Sequence, residues 1–326
     1  MFFLKLMYNF LLLSGQTLAK FDPGAQDNVA IYWGQNSMKT HEEGAQQPLS
    51  FYCEDSNVDI ILLAFVVAIN DAKGNLEINF ANQLTDRSCN NTVTHPYTCP
   101  GIGADIEACQ KNDKTVLLSM GGAYASAETG FTSPETAKQG ALKIWQMFGP
   151  HTNTSSIRPF GEAVVNGFDF DFEHEVRFVE DLGKELRDLT IKGSTQDKPF
   201  YLSAAPQCSA TQLNSIIKAT HFDMWFIQFY NDPGCDVRTH DKFKASIEQW
   251  NEWATNNKTS MFVGLAGGAM AAPSGGYLKD TDLPNYLDEA KALSKMRGAM
   301  LWDASQAWAN EKYHVKVKQA LAPNKQ

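Results

Sequence analysis

Val164-Val165-Asn166-Gly167-Phe168-Asp169-Phe170-Asp171-Phe172-Glu173 alternates phenylalanine with acid without a break from Phe168 to Glu173. Only an extended strand converts a period of two into two faces, so Asp169, Asp171 and Glu173 share one face and Phe168, Phe170 and Phe172 the other. At about 3.3 Å per residue, successive acids stand roughly 7 Å apart. If that row faces a dry interior, repulsion and desolvation keep at least one carboxyl protonated near neutral pH, the state a general acid needs. The competing reading is the solvated face of an antiparallel sheet.

The rest of the chain decides between them. Short apolar runs recur at 29–33, 60–66, 115–119, 167–172, 199–204, 225–229, 261–265 and 299–302. Amphipathic stretches at 134–147, 176–189, 241–254 and 282–295 fall between them, which predicts parallel strands joined by right-handed helical crossovers. Eight such units point to an α/β fold, a single-domain (β/α)8 TIM barrel over residues 20–326, with a doubly wound open sheet as the alternative. The long interval between the second and third runs holds Cys89 and Cys99 and reads as a stapled surface excursion. In a parallel barrel no strand has a wet side, so the phenylalanines pack on helices and the acids point inward, with Glu173 at the C-terminal mouth.

Residues 1–19 carry one charge, Lys5, an apolar middle and a small-residue exit at Thr17-Leu18-Ala19. Polar residues interrupt the run before it reaches the roughly 18 apolar residues of a membrane span, so it reads as a secretory signal peptide cleaved near Ala19. A formal charge of -9 and the lack of a basic run argue against nucleic acid as a partner. Six cysteines behind such a leader, none in CxxC spacing, favour disulfides over a metal site. No cofactor is called for. Sequons at Asn90, Asn153 and Asn257 suit an extracellular glycoprotein, free or associated with a cell wall.

Aromatic and amide side chains collect at the predicted strand ends: Tyr32-Trp33-Gly34-Gln35-Asn36, Ser119-Met120-Gly121-Gly122, Ala205-Pro206-Gln207-Cys208, Gln228-Phe229-Tyr230-Asn231 and Trp302-Asp303. Aromatic faces stack on sugar rings, while amides and phenols supply directional hydrogen bonds. Singly, each is more often rim packing than ligand contact, and Gly121-Gly122 can be a tight turn. Their coincidence at one rim carries the argument.

With these residues assembled, nearly the whole mature chain resembles glycoside hydrolase family 18, within it the class III plant and fungal, hevamine-like chitinases. The run from Asn166 to Glu173 is similar to the family's DGxDxDxE signature and Ser119-Met120-Gly121-Gly122 to its SxGG motif. The resemblance implies that Glu173 protonates the glycosidic oxygen, Asp171 holds the acetamide N–H, and Asp169, steadied by Ser119, shares charge and protons with Asp171. It further implies that Tyr230 bonds the acetamide oxygen with Tyr32 nearby, that Gly121, Gly122, Gln228 and Asn231 line the site, and that Trp302 floors it. It implies the disulfides Cys53–Cys109, Cys89–Cys99 and Cys208–Cys235, and chitin or chito-oligosaccharides as partner of a monomer. Asn166 replaces the usual first Asp of the signature, on the phenylalanine side where activity should survive it, and Glu175 adds a charge beside Glu173.

A retaining enzyme with two carboxylates needs its nucleophile across the sugar from its acid. Asp171 shares a strand face with Glu173, so the substrate's own acetamido oxygen is the better nucleophile, giving an oxazolinium intermediate. Asp232 and Asp303 are the conventional candidates this must beat. His174-Glu175 lacks the second histidine of HExxH, with Phe178 in its place. Gly101-Ile102-Gly103 lacks the third glycine of a dinucleotide loop, and no GxSxG elbow is present. Two other functions fit the same barrel: a catalytically silent sugar-binding or inhibitor protein, and an endo-N-acetylglucosaminidase acting on glycans or peptidoglycan.

Overall fold

The computed structural model describes residues 21–39, 44–70, 74–85, 88–89, 98–123, 131–151, 157–209 and 214–323. Residues 1–19, read from the sequence as a signal peptide, and the sequon residues Asn90 and Asn153 lie outside them.

Nine strands form one sheet: β1 (Asn28–Trp33), β2 (Ile60–Ala68), β3 (Glu77–Ile78), β4 (Thr115–Gly122), β5 (Gly167–Phe172), β6 (Tyr201–Ala204), β7 (Met224–Gln228), β8 (Ser260–Ala266) and β9 (Met296–Trp302). Eight are parallel in the order β1-β9-β8-β7-β6-β5-β4-β2, and β2 pairs back on β1 to close the ring. β3 is a short antiparallel addition to β2. The helices are α1 (Leu49–Cys53), α2 (Pro100–Lys111), α3 (Pro134–Phe148), α4 (Val179–Gly193), α5 (Asn214–Ala219), α6 (His240–Asn257), α7 (Leu283–Lys291), α8 (Ala304–Ala309) and α9 (Tyr313–Leu321). This is a (β/α)8 TIM barrel.

Local chemistry sets the helix ends. Ser133 and Thr136 form a reciprocal capping box ahead of Pro134, which starts α3 in its first turn. Phe178 at φ 61° delays α4 to Val179, three residues after its apolar period begins. Lys258 at φ 58° closes α6.

Period-two alternation divides the core in two. Ala30, Tyr32, Ile60, Leu62, Leu117, Met224, Phe226, Phe262 and Met300 fill the barrel. The opposite faces of the same strands pack against the helices, Phe168 beside Trp145 and Phe170 edge-on to Phe222. The three disulfides are Cys53–Cys109, Cys89–Cys99 and Cys208–Cys235. Cys89 and Cys99 are both buried, and α2 follows Cys99 directly and packs inward through Ile102 and Ile106; residues 90–97, expected to form a surface excursion, lie outside the described residues.

Candidate active site

Strand register builds the site from below. Asp169 lies level with Ser119 of β4 and Ser203 of β6, and parallel neighbours at one level point the same way. Both hydroxyls therefore reach it: Ser119 donates to Oδ2 at 2.7 Å and Ser203 to Oδ1 at 2.6 Å. The Tyr32 phenol adds a third bond, to Oδ2 at 2.8 Å. Burial pushes the Asp169 carboxyl up while the three hydroxyls pull it back, the net direction being upward.

One layer higher, Asp171 lies level with Gly121. A Cβ at Gly121, whose φ is +114°, would stand 2.5 Å from the Asp171 carbonyl oxygen, and one at Gly122 would meet the Phe65 ring at 2.8 Å. Glycine is required where these backbones approach so closely. Asp171 is almost wholly buried, and its Oδ1 accepts from Gln228 Nε2 at 2.9 Å. Burial first, then the charges of Glu173 and Asp169, hold its carboxyl well above the ordinary range. Glu173 is the first residue beyond β5 and is half-buried. Burial raises its carboxyl too, against an opposing contact from Gln207 Nε2 at 3.4 Å.

A cleft of about 410 Å³ opens over this row. Asp171, Glu173, Gly121, Gly122, Gln228, Tyr230, Asn231 and Trp302 line it. Trp302, the last residue of β9, lies nearly parallel to Phe65 with ring centres 5.8 Å apart. Burial and the charges of Asp171, Glu173 and Asp303 hold the Tyr230 phenol well above 10, so it stays a donor. Asn231, at φ +64°, accepts through Oδ1 from Ser274 N and donates its own N–H to Gly275, fixing the loop after β8 against the mouth.

Tyr32 and Ser119 are placed differently from residues that contact a ligand. Neither is among the cleft-lining residues, and both end on Asp169, which itself lies beneath the cleft. Asp303 is wholly buried and committed to structure. Its Oδ1 accepts from Ser305 Oγ and Gln306 N, capping α8, and its Oδ2 accepts from Ser37 N. Asp232 does line the cleft. Glu175 is exposed and away from the cleft; the neighbour whose charge acts on Glu173 is His174. Asn166 Oδ1 accepts from Val116 N and Gln110 Nε2, so it pins the start of β5 to β4 and α2. Cys208, Asp232 and Cys235 cluster as metal ligands do, but their two sulfurs are joined in a disulfide.

Sequence reasoning passed over Phe65, Val67 and Asn79, near the end of β2, and Met270, Ala271 and Pro273, after β8. The rule that a barrel's site gathers at the C-terminal ends of all its strands would have pointed to both segments.

A closed parallel barrel with paired carboxyls, amides and an indole at its C-terminal mouth is an arrangement suited to acid-assisted chemistry on a sugar. The chain belongs to the glycosyl hydrolases family 18, whose model matches residues 28–274. It is a glycoside hydrolase. It is 37% identical to "Endochitinase 33" of Trichoderma harzianum, over 95% of this chain and 97% of that one. It is 39% identical to a "Class III chitinase" of Arthroderma benhamiae, over 92% and 87%. The crystal structure of a chitinase from Ipomoea carnea superposes with a TM-score of 0.73 at 27% identity, over 90% and 99% of the two chains. A xylanase and alpha-amylase inhibitor protein from Scadoxus multiflorus superposes with a TM-score of 0.72 at 26% identity, over 89% and 97%.

Proposed function

We propose that this protein is a secreted chitinase that cleaves β-1,4 links between N-acetylglucosamine units with retention, using the substrate's acetamide as nucleophile. The observation that carries this reading is the placement of Asp171 in β5 and of Glu173 just beyond its end in one cleft, with Gln228 bonded to Asp171 and Tyr230 in the same lining.

Glu173, whose carboxyl burial raises above its ordinary range, gives its proton to the glycosidic oxygen as that bond breaks. The acetamide oxygen attacks the anomeric carbon, and the resulting cyclic cation is an oxazolinium ion. Asp171 accepts from the acetamide N–H and orients the group, and Tyr230 donates to the acetamide oxygen. Water then opens the ring from the face the leaving group left, with Glu173 as base, so configuration is retained. Asp169, with Tyr32, Ser119 and Ser203, is a fixed charge below the pair, and Trp302 is the apolar floor on which the sugar ring rests. With its acid form held above the usual 4.5, Glu173 loses activity only as pH rises through that raised value.

The leader at 1–19 and the three disulfides support export. The exposure of Asn257 at the end of α6 supports glycosylation at that sequon. We read the protein as a monomer with no nucleic-acid partner. Among the described residues no helix is long and apolar enough to cross a membrane.

The inhibitor proteins on the same fold make a silent barrel the second reading. Retention of Asp169, Asp171 and Glu173 around an open cleft favours catalysis. Turnover of a chitin hexasaccharide by the wild type and by Glu173→Gln tests this. The expected result is a loss of about 10² to 10⁴ in the mutant. A folded wild type that binds the hexasaccharide and leaves it whole overturns the reading, and cleavage of N-linked glycans but not chitin moves it to an endo-N-acetylglucosaminidase.

A further inference from the structure

Among the described residues three carboxylates line the cleft, Asp171, Glu173 and Asp232, and the proposed chemistry leaves the third unused. Asp232 is half-exposed and sits on a stiff turn. Its Oδ1 accepts from Gly234 N at 2.9 Å, its carbonyl accepts from Cys235 and Asp236 N, and Cys235 is joined to Cys208. Among the described residues no cationic nitrogen lies within 4.0 Å of its carboxylate; the nearby Arg238 forms its bidentate pair with Asp236 and acts on Asp232 only at longer range. Among the described residues the lining carries one cation, the exposed Lys39.

A carboxylate in this position is a poor fit for a neutral sugar. Closing a ligand over it strips part of its hydration, and hydroxyl donors repay that only in part, whereas an ammonium repays it by charge. A chitin chain offers an ammonium wherever a unit has lost its acetyl group. The unit being cut must keep its acetamide, because that group supplies the nucleophile. Asp232 stands two residues past Tyr230, so their Cα atoms are within about 7 Å, close enough for Asp232 to serve a unit adjoining the one Tyr230 holds.

We infer that Asp232 anchors a cationic, N-deacetylated glucosamine unit next to the N-acetylated unit being cut, so that partially deacetylated chitin is a polymer this cleft selects. The inference rests on the hydrolytic reading above and adds a specificity to it.

The test compares kcat/KM on fully acetylated chitin hexamers and on hexamers carrying one glucosamine, for wild type and Asp232→Asn. Asparagine keeps an oxygen to accept from Gly234 N, so the turn survives and only the charge is lost. The readout is the ratio of the two substrates. It is expected to fall about fivefold in the mutant, the size of a partly exposed ion pair, and to shrink in the wild type as salt rises from about 50 to about 500 mM. Mass spectrometry of wild-type products should place the glucosamine beside the newly formed end. A ratio that the mutation does not move, or a wild type that cuts only the fully acetylated hexamer, overturns the inference and leaves the hydrolytic reading standing. A wild type that cuts neither overturns both.

Discussion

Tyr32 and Asp169 stand on strands three places apart around the barrel, and the phenol of one donates to the carboxylate of the other at 2.8 Å through the interior. With Ser119 and Ser203 alongside, the bond lets a fully buried carboxyl remain where water cannot solvate it. Removing a donor from a charged acceptor costs about 1.5 to 3 kcal/mol. Tyr32→Phe should therefore lower stability by about 2 kcal/mol at pH 7 and kcat by about tenfold. Asp169 already titrates above its usual 3.8, and losing a donor raises it further, so the stability loss should grow as pH rises through the raised folded value. Denaturant unfolding at several pH values, with kcat and KM measured separately, checks this. A change confined to KM would mean that Tyr32 touches substrate.

Asp171 is raised by burial and by two acidic neighbours. A carboxyl whose folded value lies above its unfolded one makes the fold most stable below the unfolded value and less stable as pH rises through the folded one. Asp171→Asn removes that charge and keeps an oxygen to accept from Gln228. It should stabilise the protein by about 1 to 2 kcal/mol at pH 7, with the gain vanishing below about pH 3.8, while kcat collapses. Thermal melts across that range decide it. Equal melting temperatures at pH 7 would show that the carboxylate is paid for by contacts other than Gln228.

Gly121 is held at φ +114° with its α-carbon against the Asp171 carbonyl. Gly121→Ala should cost about 2 kcal/mol in backbone strain and push β5 away from β4, moving Asp171 off the substrate. Loss of kcat well beyond the loss of folded fraction is the expected result. Full activity in the alanine variant would show that the strands can part without harm.

Much of this was legible in the sequence, for physical reasons that differ by element. The Phe–acid alternation of β5 admits one backbone, and the inward direction of its acids followed once eight parallel strands were in view. α3 carried its own period and cap, and α6 its period. α2 escaped notice because Gly101 and Gly103 weaken its helical signal; the second glycine is there because a Cβ would strike the Phe160 carbonyl at 2.1 Å. The hydroxyls around Asp169 depend on register between strands. Ser119 was singled out through a motif, while Ser203 had no local mark at all. The parts of the cleft wall made by Phe65, Val67 and Asn79 and by Met270, Ala271 and Pro273 are placed by long-range closure of the barrel, which no local pattern reports.

The anomeric form of the first product tests the central claim most directly, because it reports from which face water arrives. Proton NMR of a chitin oligosaccharide during the first minutes of hydrolysis should show the β-anomer at the new reducing end, formed before mutarotation and absent with Glu173→Gln. Initial release of the α-anomer would mean direct attack by water from the opposite face, and would contradict an acetamide nucleophile held by Asp171.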